Sequence, residues 1–208
     1  MKICEVVTST AEDVEPSFVN QQASKQSWKM VGRGYTSSVW DHFGDPDTVV
    51  KVVGGGHANS HLTDEHRLST LAFIHCCVDH GKTNKHLPII LGMNDEDGEI
   101  LQVRMEKLLP LPDNSETGSL RRALGELDRA LNSQGWREPI LQELEQALQD
   151  EGLARYQSAE DLINVVAELT EFARHYGPLH DIQLTIDLHG DNWMLHPNGT
   201  IVAVDPWI

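Results

Sequence analysis

The stretch 186–207, I-D-L-H-G-D-N-W-M-L-H-P-N-G-T-I-V-A-V-D-P-W, constrains the chain more than any other. Two short apolar runs, 193–195 and 201–204, flank Pro197-Asn198-Gly199, which is the pattern of a β-hairpin with a turn-forming centre. Asp187 precedes the first strand, Asn192 stands five residues later, and Asp205 follows the second strand. A hairpin doubles the chain back. Asn192 and Asp205 are therefore expected side by side, with Asp187 on the loop that feeds in.

Two oxygen ligands beside a further carboxylate suit Mg²⁺ bound to a nucleotide phosphate, because Mg²⁺ takes few protein ligands and keeps water and phosphate for the rest. The third carboxylate is then left to orient or deprotonate a hydroxyl. The order D-x-x-x-x-N, hairpin, Asp resembles the catalytic loop and metal-binding Asp of the protein-kinase-like superfamily, in which both spacings recur. Read as the H-G-D of aminoglycoside phosphotransferases, His189-Gly190-Asp191 requires an asparagine at position 196, where His196 stands. The expected catalytic Asp is therefore Asp187. Its D-x-H form also occurs in small-molecule kinases, and the resemblance puts His189 where protein kinases carry a phosphate-contacting lysine. In an ordinary acidic hairpin the same residues would serve only as turn formers, so the upstream half has to decide.

Strand, glycine-bearing turn, strand is the reading of W-K-M-V followed by G-R-G-Y-T-S-S-V-W. Gly32 and Gly34 fall at the first two glycines of G-x-G-x-x-G-x-V, Ser37 takes the third, and Val39 fits the last. Flanking strands point to a lid whose backbone N–H groups approach phosphates, whereas a dinucleotide fold would need a helix directly after. After a turn-like stretch, 41–47, the run T-V-V-K-V-V sets Lys51 in a β-branched strand, resembling the kinase strand whose lysine holds the α- and β-phosphates. The competing reading is an edge strand with a solvated lysine. Beyond Gly54-Gly55-Gly56 comes a helix with apolar residues at 62, 68, 71, 74 and 78, stopped by Gly81. In a kinase this helix offers a Glu to the strand lysine. Glu65 is the expected partner, with Asp64 the alternative. His75, Cys76, Cys77, His80 and His86 match no standard zinc spacing.

Two strands, 87–93 and 99–105, are expected around N-D-E-D-G. Met105, Glu106 and Leu108 then resemble a kinase hinge, with a bulky gatekeeper and backbone groups facing adenine. Leucine stripes give helices over 119–132, 139–150 with Pro139 at its start, and 158–176 stopped by Gly177.

These pieces imply an α+β, protein-kinase-like two-lobe fold. An N-terminal extension (1–27), with a short helix from Pro16, precedes an antiparallel-sheet N-lobe with one inserted helix (28–108). A minimal, truncated helical C-lobe (109–208) carries the catalytic loop and metal-binding hairpin. Segment 28–207 resembles in particular the early serine/threonine kinases of podoviruses of the T-odd coliphage type. That resemblance rests on W-K-M-V-G-R-G, V-V-K-V, the D-x-H-x-x-N loop and V-D-P. It implies ATP and Mg²⁺ as cofactors, transfer to serine or threonine of host proteins, and action in the host cytoplasm. Asp187, His189, Lys51 and Glu65 would be catalytic, and Asn192 and Asp205 would hold the metal. Gly32, Gly34, Ser37, Val39, Lys51, Met105, Glu106 and Leu108 would line the nucleotide. The chain departs from the usual kinase pattern at Thr185-Ile186, where His-Arg is customary, and at Asp205-Pro206-Trp207 in place of D-F-G.

The bulk properties narrow the partners. With 208 residues and a formal charge of -16, the chain has a core's worth of sequence but no clustered cations for nucleic acid or an anionic membrane. Three cysteines cannot build a disulfide framework, and the first residues lack the apolar run of a signal peptide. The acidic surface and the departures leave two other readings: a non-catalytic viral protein that occupies a host target, and a small-molecule phosphotransferase.

Overall fold

The computed structural model describes residues 28–33, 37–42, 45–54, 64–81, 83–96, 100–112, 119–132 and 134–207. The N-terminal extension, Gly34 and residues 55–63 lie outside them. The described chain divides into two units, one drawn from the residues up to 68 and 89–107, the other from 69–88 and 108–208.

The first unit is an antiparallel sheet of β1 (Trp28–Arg33), β2 (Ser37–His42), β3 (Asp45–Gly54), β4 (Ile90–Glu96) and β5 (Ile100–Glu106) in the order β1-β2-β3-β5-β4. The β-branched run 49–53 makes β3 the central strand, and Val49, Val50, Val52 and Val53 are all buried. The turn expected over 41–47 is shorter than that, for Asp41 ends up in β2 and 45–47 open β3. Two of these acids have a cation in the sheet: Lys107 pairs with Asp41, and Arg104 lies 2.7 Å from Asp45. Thr48 Oγ1 donates to Asp45 at 2.6 Å, and this bond, with Arg104, holds the Asp45 carboxyl below its usual range. β4 begins at Ile90, not 87.

A helix, α1 (Asp64–His80), stands between β3 and β4 in the chain. It is the one inserted helix that was expected, and the backbone of Gly81 closes it onto Cys77 O at 2.7 Å.

The second unit is helical: α2 (Ser119–Gly125), α3 (Leu127–Asn132), α4 (Gln134–Asp150) and α5 (Ala159–Leu179). The single helix expected over 119–132 is two, parted at Glu126. Pro139 lies inside α4 rather than at its start. The carbonyl that its missing N–H would have served belongs to the exposed first turn, where water can serve it instead. Gly177-Pro178 likewise fails to stop α5, since a proline in the last turn sacrifices little. His180 closes the helix by donating to Tyr176 O and Gly177 O. At the other end, Ser158 and Asp161 form the reciprocal capping box. The leucine stripes make the core: Leu124, Leu127, Leu144, Leu148, Leu162 and Leu169 are at most 1% exposed. Against this core lies a three-stranded sheet of β6 (Leu109–Pro110), β7 (Trp193–Leu195) and β8 (Ile201–Ala203). The architecture is α+β, with its elements in the order expected of a kinase-like chain.

Candidate active site

In the first unit, strand register decides which side chains share a face. Lys51 on β3 stands opposite Val39 on β2 and Val103 on β5, while Ser37 stands opposite Val53 and Met105 opposite Val49. Opposed residues point to the same side and alternate ones follow. Ser37, Val39, Lys51 and Met105 therefore lie on one face, with Gly32 facing Val39 across β1. Val50, Val52 and Gln102 belong to the other. Lys51 is 9% exposed. The backbone of Glu65 sits in the first turn of α1, and its side chain lies outside what the structure describes. Glu106 is tied to the start of β4 twice: its N–H donates to Ile89 O at 3.1 Å, and its carboxylate accepts from Ile89 N–H at 2.9 Å. Leu108 is buried at the start of the second unit's main segment.

The second unit brings Asp187, His189, Asn192 and Asp205 together through a closed hydrogen-bonded circuit. Asp187 N–H donates to Pro206 O at 2.7 Å, the Asn192 side-chain amide donates to Asp187 O, and Val204 N–H donates to Asn192 O at 2.8 Å. An isolated bridge between Ile186 and Trp207 extends the same pairing. The circuit takes the nitrogen of the Asn192 amide and leaves its oxygen without a partner among the described residues. That oxygen, with the Asp205 carboxylate two positions past the end of β8, is a hard-oxygen pair of the kind Mg²⁺ accepts. The donor set fits the ion.

Asp205 has φ 49, in the left-handed region, and precedes Pro206. Both features are unfavourable for an L residue: the left-handed conformation crowds Cβ, and a following proline disfavours helical backbone. Strain of this kind persists only where the surroundings impose it. Two residues on, Trp207 is buried at 5% exposed. Its ring stacks on Phe172 of α5 at 5.4 Å and meets Phe73 of α1 edge-on at 6.1 Å. The stack continues through Tyr176 to His180.

His189 Nδ1 accepts from Asp191 N–H at 3.3 Å, so the neutral ring carries its proton on Nε2, 3.8 Å from Asp187 Oδ2. That gap is wider than a hydrogen bond. Asp191 itself is turned away to Arg121 of α2 at 2.6 Å. Gly190 makes this docking possible, because a Cβ there would lie 2.8 Å from Arg121 O.

Sequence reasoning missed three supports: β6, Arg121, and His86, whose carbonyl accepts from Ala203 N–H at 3.0 Å. Each acts across more than 65 residues of chain and leaves no local signal. In the histidine–cysteine cluster, Cys76 and Cys77 are buried free thiols. Burial, then Asp79 and Glu168, push the Cys76 thiol up to about 12, which leaves no thiolate at neutral pH. Among the described residues no three His, Cys, Asp or Glu side chains are grouped to hold a metal. None of the described helices is long and apolar enough to cross a membrane.

No known family's sequence profile matches the chain. No curated protein matches it in sequence either. Among solved structures, the bifunctional kinase–methyltransferase WbdD is similar at TM-score 0.36 and 15% identity over 86% of this chain. The chain spans only 33% of that WbdD chain. Aminoglycoside phosphotransferase IIIa in its GDP complex is similar at TM-score 0.35 and 15% identity, over 91% of this chain and 71% of its own. These neighbours are phosphotransferases, and at such scores the likeness adds no weight to what the chain's own elements carry.

Proposed function

We propose that this chain is an ATP-dependent phosphotransferase of the phage serine/threonine protein-kinase type, phosphorylating host proteins in the infected cell's cytoplasm. The observation that carries the reading is the hydrogen-bonded circuit holding Asp187, Asn192 and a strained Asp205 in one place. An ordinary acidic hairpin has no use for a left-handed aspartate before proline. The motifs of 28–207, in their order, favour the phage type.

In this reading 28–108 is the N-lobe and 109–208 the C-lobe. Gly32, Gly34, Ser37 and Val39 cover the nucleotide, Met105, Glu106 and Leu108 receive its base, and Lys51 with Glu65 positions its phosphates. Asn192 and Asp205 hold Mg²⁺, which when bound supplies positive charge against the phosphates. Asp187 accepts the proton of the incoming hydroxyl as its oxygen bonds the γ-phosphorus, and ADP leaves with the electrons of the broken P–O bond. His189, with its proton on Nε2, contacts the transferred phosphoryl. Most of the acceleration comes from positioning and charge compensation.

The test is transfer from labelled ATP with Mg²⁺ into the protein itself and into bacterial lysate, beside Asp187→Ala and Lys51→Ala. The expected result is base-stable label on protein, lost in both variants. Wild-type turnover in either variant would overturn the residue assignment. Label on small cationic metabolites instead of protein would move the acceptor to the small-molecule class, which the D-x-H loop also suits. No label from folded protein would favour the acidic binding protein.

A further inference from the structure

Among the described residues the His189 side chain has one hydrogen bond, the one its Nδ1 accepts from Asp191 N–H at 3.3 Å. That side chain is 57% exposed, so packing does not choose between orientations of the ring. The Asp191 amide therefore decides which nitrogen carries the proton, and it leaves Nε2 on the side of Asp187 Oδ2, 3.8 Å away. This amide belongs to the peptide between Gly190 and Asp191, the middle peptide of the turn that Asn192 N–H closes onto His189 O at 2.9 Å. Type I and type II turns both keep such a closing bond and differ by inversion of that middle peptide. Aspartate is among the residues that tolerate the positive φ of the inverted form. The turn's own bond thus does not fix the donor that His189 needs.

Arg121 of α2 holds both ends of this peptide. At Gly190, the Arg121 backbone O and Cβ come so close that an added Cβ would lie 2.8 and 2.9 Å from them. At Asp191, Arg121 Nη1 donates to the carboxylate at 2.6 Å. Nη2 reaches the other way, to Leu111 O just after β6, in a longer contact of 3.5 Å. Nε is buried without a hydrogen-bond partner. The stem is packed, and the planar fork is committed between β6 and the loop. With Asp191 77% exposed, the ion pair adds little to folding stability. Its consequence is where it puts the peptide.

We propose that Arg121 is a positioning residue for His189. Through Asp191 it keeps the Gly190–Asp191 peptide in the orientation that gives its N–H to Nδ1, and so fixes both the Nε2–H tautomer and the direction in which that proton points. Arg121 itself touches no reacting atom. What His189 does with the proton rests on the phosphotransfer reading, whereas how His189 is held does not.

NMR of the full chain in alkaline buffer compares Arg121→Gln with the wild type and with Arg122→Gln, the same charge change one residue on, where the guanidinium serves Glu143 of α4. In Arg121→Gln the Asp191 amide should exchange with solvent about tenfold faster, and the His189 Nδ1 resonance should move from its unprotonated position toward the average of the two tautomers. The amides of Asp187 and Val204, bound within the circuit, should keep their protection, and Arg122→Gln should change neither signal. In labelled-ATP transfer, kcat should fall about tenfold with KM for ATP unchanged, and Arg121→Lys, which keeps a charge for Asp191, should recover part of the loss. Asp191→Ala removes the same pair from its exposed end and serves if Arg121→Gln folds poorly; the two together should cost no more than either alone. An unmoved Asp191 exchange rate and His189 resonance in folded Arg121→Gln would overturn the proposal. Equal loss of protection at Asp187 and Val204 would do the same, since Arg121 would then be a structural prop only, as would a wild-type kcat beside a changed resonance. A wild-type protein that transfers nothing, while the resonances change as expected, would sink the phosphotransfer reading and leave the hold of Arg121 on His189 standing.

Discussion

Replacing Asp205 by glycine and by alanine isolates the strain at the proposed metal residue. Both variants lose the carboxylate, and with it every contact that the carboxylate makes. They differ only in a Cβ on a residue held at φ 49 before proline. At an ordinary negative φ, alanine is the more stabilising of the two by about 0.4–1 kcal/mol, because glycine loses more freedom on folding. In the left-handed region an L side chain costs about 1–2 kcal/mol. The second effect exceeds the first, so the usual order inverts and glycine should be the more stable by about 1 kcal/mol. For a chain of this length that is a difference of roughly 2–4 °C in Tm.

Tryptophan emission during heating or urea titration reads this directly, since Trp193 and Trp207 are 2% and 5% exposed and flank the site. Asp205→Asn is the companion. Asparagine tolerates the left-handed region, so this variant should keep near-native stability while losing transfer, separating charge from conformation. An alanine variant as stable as the glycine one would refute the reasoning, because the backbone at 205 would then not be held at positive φ. A wild-type transfer rate in all three would refute the role of the carboxylate.

Two further outcomes follow from contacts already described. Gly190→Ala places a methyl 2.8 Å from Arg121 O and 2.9 Å from Arg121 Cβ, neither of which can move without α2. The loop should shift by up to about 1 Å, with transfer falling on the order of a hundredfold at a stability cost of about 1–3 kcal/mol, and normal turnover would show that the loop is not docked this way. His75 and His86 both have pKa values lowered by burial, so the native state binds fewer protons than the unfolded state below about 6.5. Their contribution is complete above that pH and is lost as pH falls. Unfolding free energy should therefore decline between about pH 7 and 5, less steeply in His75→Gln, and a flat profile there would contradict the burial.

Much of the first unit was legible because its strands carry their own signal. The run 48–53 has too many β-branched residues for a helix, and the register that follows from antiparallel pairing sorts Ser37, Val39, Lys51 and Met105 to one side without further information. The capping box at Ser158 and Asp161 was equally local. What misled was punctuation. Pro139 reads as a helix start and Gly177-Pro178 as a stop, yet α4 begins five residues earlier and α5 runs to Leu179. Proline forbids only one N–H bond and crowds one carbonyl, and within the first or last turn both costs fall on groups that are exposed or already unpaired. The break at Glu126 had no such marker, since the apolar spacing of Leu120, Leu124, Leu127 and Leu131 runs straight through it.

The candidate site divides along the same line. That Asp187, Asn192 and Asp205 would meet is readable from hairpin topology, because doubling back is a property of the turn. How they are held is not readable. The conformation of Asp205 depends on Trp207 finding Phe172, which lies on a helix 35 residues away, and on Asp187 N–H reaching Pro206 O. Neither contact alters the periodicity of the residues that make it. Pro206 argues against a left-handed residue before it, so a reading from local preference alone reaches the opposite conformation for Asp205. Local rules give way where long-range packing is strong enough to hold an unfavourable backbone, and of the two left-handed aspartates described in this unit, Asp181 and Asp205, the one before proline carries the carboxylate that the proposed chemistry requires.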